Sequence, residues 1–318
     1  MLSREAVVWA YRYVLGREPE DDQVVDRHLH HADWEALRKA FMESMEFKSQ
    51  LRTSSSSGRH AFAPPIRIDL RGSASDLATM FQHVGASWVH LGESEPHWSV
   101  ITAEQYKSAR IGDTENAFYA SGKVDAALIK AFFERNNQSL EHLKSCLEFG
   151  CGVGRATSAI AGLVPHVFAI DVSAPHLRLA RAWLEKNGIS NVTLVQLTKL
   201  EDVTKLPEFD LIYSTIVFQH NPPPVMLYLL ETLFSKLARG GYALFQVPTY
   251  RAGYEFVWDE YLNGRTPGME MHVLPQSVIF DLFRRHEMDV IEVQEDGLTG
   301  SDSFLSHTFF AKRRESRS

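Results

Sequence analysis

Between residues 147 and 155 the chain reads Leu147-Glu148-Phe149-Gly150-Cys151-Gly152-Val153-Gly154-Arg155. An apolar run enters three alternating glycines, and a helical pattern leaves them. Glycine is required where the backbone turns sharply or where a ligand must come close to the main chain. The segment therefore predicts a strand, a tight turn and a helix built around a nucleotide-like cofactor. Counting the run at 146–149, strands are expected at 146–149, 166–170, 192–196, 210–214, 242–247, 290–295 and 306–311, with helical patterns between the first six. Such alternation is what the crossovers of a parallel sheet demand, so the fold class is α/β. The loop 296–305 is too short for a crossover, so the last two strands are expected to form an antiparallel hairpin at the sheet edge.

Ahead of this region helices are expected over 103–110 and 124–136, a short strand at Ile66, Ile68 and Leu70, and a helical or mixed stretch from Ser75 to Val89. The first fifty residues read differently. Ser3 can cap a helix with Val7, Val8, Tyr11, Val14 and Leu15 on one face and Gly16 as its stop. Asp33 can cap a second, with Leu37, Phe41 and Met45 at spacings of four, ending near Phe47. The tract Arg52-Thr53-Ser54-Ser55-Ser56-Ser57-Gly58 and then Pro64-Pro65 is a flexible segment followed by a stiff one. The expected organisation is a helical module over 1–52, a linker over 53–65 and an α/β domain over 66–318.

Composition excludes several classes. A net charge of −7 with no long Lys/Arg block argues against a nucleic-acid partner, because phosphate contacts need clustered cations. No run approaches 18 apolar residues and charges fall where a signal peptide would begin its apolar core, so no membrane insertion is expected. Two cysteines, Cys146 and Cys151, are too few for a disulfide framework, which points to a reducing cytoplasm. His28, His30 and His31 have no second ligand cluster, so no metal site is expected.

The cofactor's chemistry follows from charge. Glu148 would repel a pyrophosphate, whereas a sulfonium compound carrying a free ammonium is attracted to it. The spacing is GxGxG rather than GxGxxG, and Asp171, at the end of the next strand, stands where an acid accepts hydrogen bonds from ribose hydroxyls. The expected cofactor is S-adenosylmethionine. With Glu148 to Gly154, Asp171, Phe209-Asp210-Leu211-Ile212 and Leu237-Ala238-Arg239-Gly240-Gly241 in this order, the chain resembles the class I S-adenosylmethionine-dependent methyltransferases over about residues 100–313. The resemblance implies a Rossmann-like sheet of order 3-2-1-4-5-7-6 with strand 7 antiparallel. It implies cofactor binding by Glu148, Gly150, Cys151, Gly152, Gly154, Asp171, Val172, Ser214 and Thr215. Where the family often carries an acid for the adenine amino group this chain has Leu197-Thr198-Lys199, making Thr198 the positional match, with Glu201 or Asp202 as substitutes. Residues 9–47 look like a short helical module of bacterial surface-associated and glycan-related proteins, which shades the acceptor toward a saccharide.

After the fourth strand comes Gln219-His220-Asn221-Pro222-Pro223-Pro224. Asn-Pro-Pro lacks the aromatic that marks amino-methyltransferases acting on adenine or glutamine, and the prolines suit a helix start. Methyl transfer to an alcohol needs aligned reactants and removal of one proton, a task for a neutral imidazole. His220 is the candidate base, near its ordinary pKa of about 6.5, and His272 is its competitor. Tyr250, Tyr254 and Trp258, in the long stretch 249–274, offer flat faces for a sugar or aryl ring, and Trp98, Tyr106 and Tyr119 could close the site opposite. The leading reading is O-methylation of a small hydroxylated acceptor such as a saccharide. The alternatives are a noncatalytic cofactor-binding scaffold acting through the helical module, and a dehydrogenase, which Glu148 disfavours.

Overall fold

The structure is a computed structural model that describes residues 2–15, 17–44, 46, 64–264 and 268–315. It separates into two compact units, Met1–Pro65 and Ile66–Ser318. In the first, helices α1 (Arg4–Leu15), α2 (Asp22–His28) and α3 (Trp34–Glu43) enclose a small core of Val7, Tyr11, Val25, Leu37 and Phe41. Asp21 and Asp33 start the second and third helices by accepting the amides of Val24 and Ala36, both at 2.8 Å. His28 contacts His31 and packs on Tyr11 and Phe41. No cluster of metal-ligating side chains occurs among the described residues. Helix α3 ends at Glu43, with Ser44 turning out of it in extended conformation, short of the end expected near Phe47. The expected stop at Gly16 and the linker up to residue 63 lie outside the described residues.

The second unit is built on strands whose alternate residues face two separate apolar layers. Strands β2 (Ser145–Phe149), β3 (His166–Asp171), β4 (Val192–Gln196), β5 (Phe209–Ser214), β6 (Leu237–Arg251), β8 (Met288–Asp296) and β9 (Phe304–Arg313) form one sheet of order β4-β3-β2-β5-β6-β9-β8. All neighbours are parallel except β6–β9 and β8–β9. Leu147, Phe149, Ile212 and Phe245 face a core shared with α10 (Pro223–Ser235) and α12 (Gln276–Arg285). Cys146, Leu211, Tyr213 and Leu244 face another, filled by Ile129, Phe132 and Phe133 of α7 (Lys123–Arg135). This period of two puts helices on both faces.

Several elements depart from expectation. The mixed stretch at 75–89 is part of one long helix, α4 (Ala74–Ser94), started by a reciprocal capping box between Ser73 and Asp76. The expected helix at 103–110 is only a 3₁₀ turn at Glu104–Tyr106, and α6 (Ile111–Ala120) follows it. The strand at 66–70 shrinks to β1 (Arg67–Ile68), which pairs in parallel with β7 (Glu255–Phe256). Strand β6 runs to Arg251 because it pairs with β9 along most of its length, so the irregular stretch after it is shorter than the sequence implied. None of the described helices is long and apolar enough to cross a membrane.

Candidate functional site

From β2 the chain winds first to β3 on one side and later to β5 on the other, which opens a crevice beyond the carboxyl ends of these strands. A cavity of about 370 Å³ lies there. Gly150 and Cys151 hang their amides on the carbonyl of Ile170 at 2.8 and 3.0 Å, which folds the turn back over β3. Gly150 and Gly152 have φ of 81° and 54°, the left-handed region open to glycine, and both line the cavity. A Cβ on Gly150 would sit 2.3 Å from Val217, so the turn can lie against the loop after β5 only without a side chain. Gly154, also left-handed, packs on Ala180 and does not line the cavity.

Asp171 anchors the turn. Its two carboxylate oxygens accept the amides of Gly152 and Ser173, each at 2.8 Å, and its side chain borders the cavity with Val172. Glu148 is buried at the floor, its Oε2 without a hydrogen-bond partner, and burial pushes its carboxyl up to about 8. Beside it Asp125 is held by Arg155 at 2.7 Å and by the hydroxyl of Tyr213 at 2.8 Å. A buried acid with one orphaned oxygen beside glycine amides, an apolar wall of Phe81, Val172 and Leu197, and the Asp171 carboxylate fit a cationic nucleoside cofactor.

Thr198, Glu201 and Asp202, the residues expected at the adenine, do not line the cavity. Asp202 accepts hydrogen bonds from Thr198 and Lys199 on the exposed side, and only Leu197 of that segment reaches the cavity. Ser214 is likewise displaced: its hydroxyl donates to the carbonyl of Phe149 at 2.9 Å, tying β5 to β2, while Thr215 lines the cavity.

On the β5 side stands His220, buried and edge-on to Trp88 with ring centroids 5.1 Å apart. Its Nδ1 lies 2.7 Å from the carbonyl of Glu270. A carbonyl only accepts, so Nδ1 carries the proton and Nε2 keeps its lone pair as an acceptor, toward which the Gln219 amide nitrogen donates at 3.4 Å. Burial lowers the pKa to about 4 rather than leaving it near 6.5. His272 does not reach the cavity. Its Nδ1 meets the Tyr254 hydroxyl at 2.8 Å and its Nε2 meets Glu270 at 3.1 Å, so both ring nitrogens are engaged in holding the segment in place.

The aromatic residues also fall elsewhere. Tyr254 and Trp258 pack on the main core, Tyr250 pairs with Leu305 in the sheet, and none of the three lines the cavity. Tyr106 and Tyr119 belong to a separate cluster, and Trp98 does not line the cavity either. The wall is made instead by Phe81, Val84 and Trp88 of α4. Ser99 and His176 join it, their side chains linked at 2.9 Å. The unexpected capping box of α4 was the available signal for that helix, and Met269 and Met271 had no signal beyond lying beside His272.

Residues 146–241 match a family model described as a methyltransferase domain. Over 85 residues the chain is 33% identical to ubiquinone biosynthesis O-methyltransferase of Glaesserella parasuis, covering 26% of this chain and 36% of that protein. Over 98 residues it is 39% identical to an uncharacterised protein of Synechococcus, covering 30% of this chain and 23% of the other. The chain thus spans less than half the length of the curated relatives it matches. Among solved structures, magnesium protoporphyrin IX methyltransferase from Synechocystis, with bound SAH, superimposes with a TM-score of 0.51 at 17% identity, over 73% of this chain and 99% of that one. At that identity the likeness is one of fold.

Proposed function

We infer that this chain is an S-adenosylmethionine-dependent methyltransferase acting on the hydroxyl of a small acceptor, with His220 as the base. The methyltransferase-domain match and the fold support the enzyme class and the cofactor. Glu148, Gly150, Cys151, Gly152, Asp171, Val172 and Thr215 are the residues that would hold the cofactor, which supplies an electrophilic methyl group on a positively charged sulfur.

The observation that carries O-methylation is the fixed tautomer of His220. Nε2 would take the hydroxyl proton as the acceptor oxygen bonds to the methyl carbon and the sulfur–methyl bond breaks, its electron pair staying on the departing neutral thioether; the carbonyl of Glu270 keeps the ring from turning. Trp88 against the imidazole excludes water from that side. In this reading the protein works in the cytoplasm, and residues 1–52 are a separable module, with residues 53–65 joining it to the methyltransferase domain at 66–318. Tyr250, Tyr254 and Trp258 do not line the cavity, so the saccharide expectation keeps only the resemblance of residues 9–47.

Calorimetric titration with S-adenosylmethionine, S-adenosylhomocysteine and NAD, followed by an acceptor screen read as S-adenosylhomocysteine release, tests this. Binding of the sulfur compounds and turnover on hydroxyl acceptors are expected. Binding with turnover only on amines would remove the role of His220, and tight NAD binding would sink the whole reading.

A further inference from the structure

The residues lining the cavity fall into two sets that differ in chemistry. Asp171, Glu148 and the glycine turn lie at the ends of β2 and β3. The other set comes from the chain after β5, the β8–β9 hairpin, the segment before α12, and α4: Ile216, Leu298, Met269, Met271 and Trp88. In the segment 269–272 alternate residues divide: Met269 and Met271 line the cavity, while Glu270 and His272 are tied to Tyr261 and Tyr254. Ile216 and Leu298 remain 37% and 39% exposed, an apolar rim on the way in.

The polar side chains near His220 are largely occupied by one another. The Gln219 amide oxygen accepts from Gln246 at 3.2 Å and its nitrogen points to His220. Asn221 donates to the carbonyl of Val217 at 3.1 Å. A sugar brings many hydroxyls that would lose water here without replacement partners, at a cost for each one buried unpaired. A flat apolar ring loses nothing, and indole and thioether groups are well suited to contact it.

We propose that the acceptor is a hydroxylated aromatic compound, its ring seated among Trp88, Ile216, Met269, Met271 and Leu298 and its hydroxyl at Nε2 of His220. The proposal rests on the methyltransferase reading above and narrows it. The weak basicity of the buried imidazole agrees with it, since a phenolic proton, with a pKa of about 10, is easier to remove than that of an aliphatic alcohol.

The test uses the full chain saturated with S-adenosylhomocysteine and two probes, 2-naphthol and methyl α-glucoside, followed by calorimetry and tryptophan fluorescence. 2-Naphthol should bind and quench fluorescence, and the glucoside should not bind. Leu298→Asp, on an exposed hairpin, and the double variant Met269→Ser with Met271→Ser should each weaken 2-naphthol roughly tenfold or more. Their affinity for S-adenosylhomocysteine should stay within about twofold of wild type. Glucoside binding tighter than 2-naphthol, or unchanged 2-naphthol affinity in both variants, overturns the proposal. Failure of the wild-type chain to bind S-adenosylhomocysteine overturns the cofactor reading itself, and this proposal with it.

Discussion

The side-chain oxygen of Gln246 accepts the main-chain amide of Ile216 at 3.0 Å, and Ile216 is held at φ of 58°. A β-branched residue in the left-handed region is strained by roughly 1–2 kcal/mol. Gln246 is fully buried and also donates to Ser306 and Gln219, so the clamp is rigid. Strain of this kind collects at sites where a loop must present a particular face. Ile216→Gly should raise stability by about 0.5–1 kcal/mol in urea unfolding, the relief offset in part by glycine's entropy. Gln246→Ala should lower it by about 1–3 kcal/mol through unpaired buried groups. A clear destabilisation in Ile216→Gly would show that the loop carries no strain.

Asp171→Asn should weaken S-adenosylhomocysteine binding by about 1.5–3 kcal/mol, the range for a hydrogen bond to a charged group. Because the carboxylate also accepts the amides of Gly152 and Ser173, some stability should be lost with it. Calorimetry and thermal unfolding of the same sample separate the two effects, and unchanged affinity would remove Asp171 from the ribose site.

His220→Ala should keep cofactor affinity and lose a factor of about 10² to 10⁴ in kcat. With the folded pKa at about 4, the acidic limb of kcat in wild type should fall there and not near 6.5. The unfolded chain binds the extra proton between these values, so this residue's contribution to stability is present above 6.5 and lost as pH falls through 4. His272→Ala should instead destabilise the chain by cutting the Tyr254–Glu270 link while leaving the acidic limb in place. An acidic limb that stays near pH 6.5 in wild type would contradict the burial of the ring.

Glu148 ties cofactor affinity to pH. Its folded pKa of about 8 lies above the ordinary 4.5, so the folded chain holds more protons between these values. The group's contribution to stability is therefore complete below 4.5 and lost as pH rises through 8. A cationic ligand favours the ionised carboxylate, so affinity for S-adenosylmethionine should climb by up to about tenfold per pH unit from 6 to 7, with proton release seen as buffer-dependent heats. Glu148→Gln should flatten that dependence. If wild-type affinity is already flat over this interval, the carboxylate does not face the cation.

Removal of residues 1–63 should leave cofactor binding intact, because Ile66–Ser318 is a compact unit with its own core. Measuring S-adenosylhomocysteine affinity of the shortened chain decides it, and an insoluble product would refute separability.

The sheet was legible because each strand is a short apolar run bounded by turn residues. Val192–Gln196 falls where the sequence places it, and His166–Asp171 differs by one residue. Strand β6 outruns its apolar stretch because pairing with β9, sixty residues later, continues to Arg251, and a partner so distant leaves no local trace. The glycine turn and Asp171 were legible because backbone geometry restricts residue type there. Trp88, Met269 and Leu298 were not, since an apolar side chain on a cavity wall reads the same as one in a core. His272 differs from His220 in not lining the cavity, and its Nδ1 bond depends on Tyr254, eighteen positions away, so no spacing rule distinguishes the two histidines.

The alternation at 269–272 has an evolutionary reading. The odd positions line the cavity and the even ones hold the frame, so Met269 and Met271 can change with little effect on the scaffold. Selectivity is thereby open to drift by point substitution. Insertion or deletion of one residue is another matter: it would exchange the two sets, turning the Glu270 carboxylate and the His272 imidazole toward the cavity and breaking their bonds to Tyr261 and Tyr254. Lineages descending from this chain should therefore vary at 269 and 271 in residue type, but not in the length of the segment.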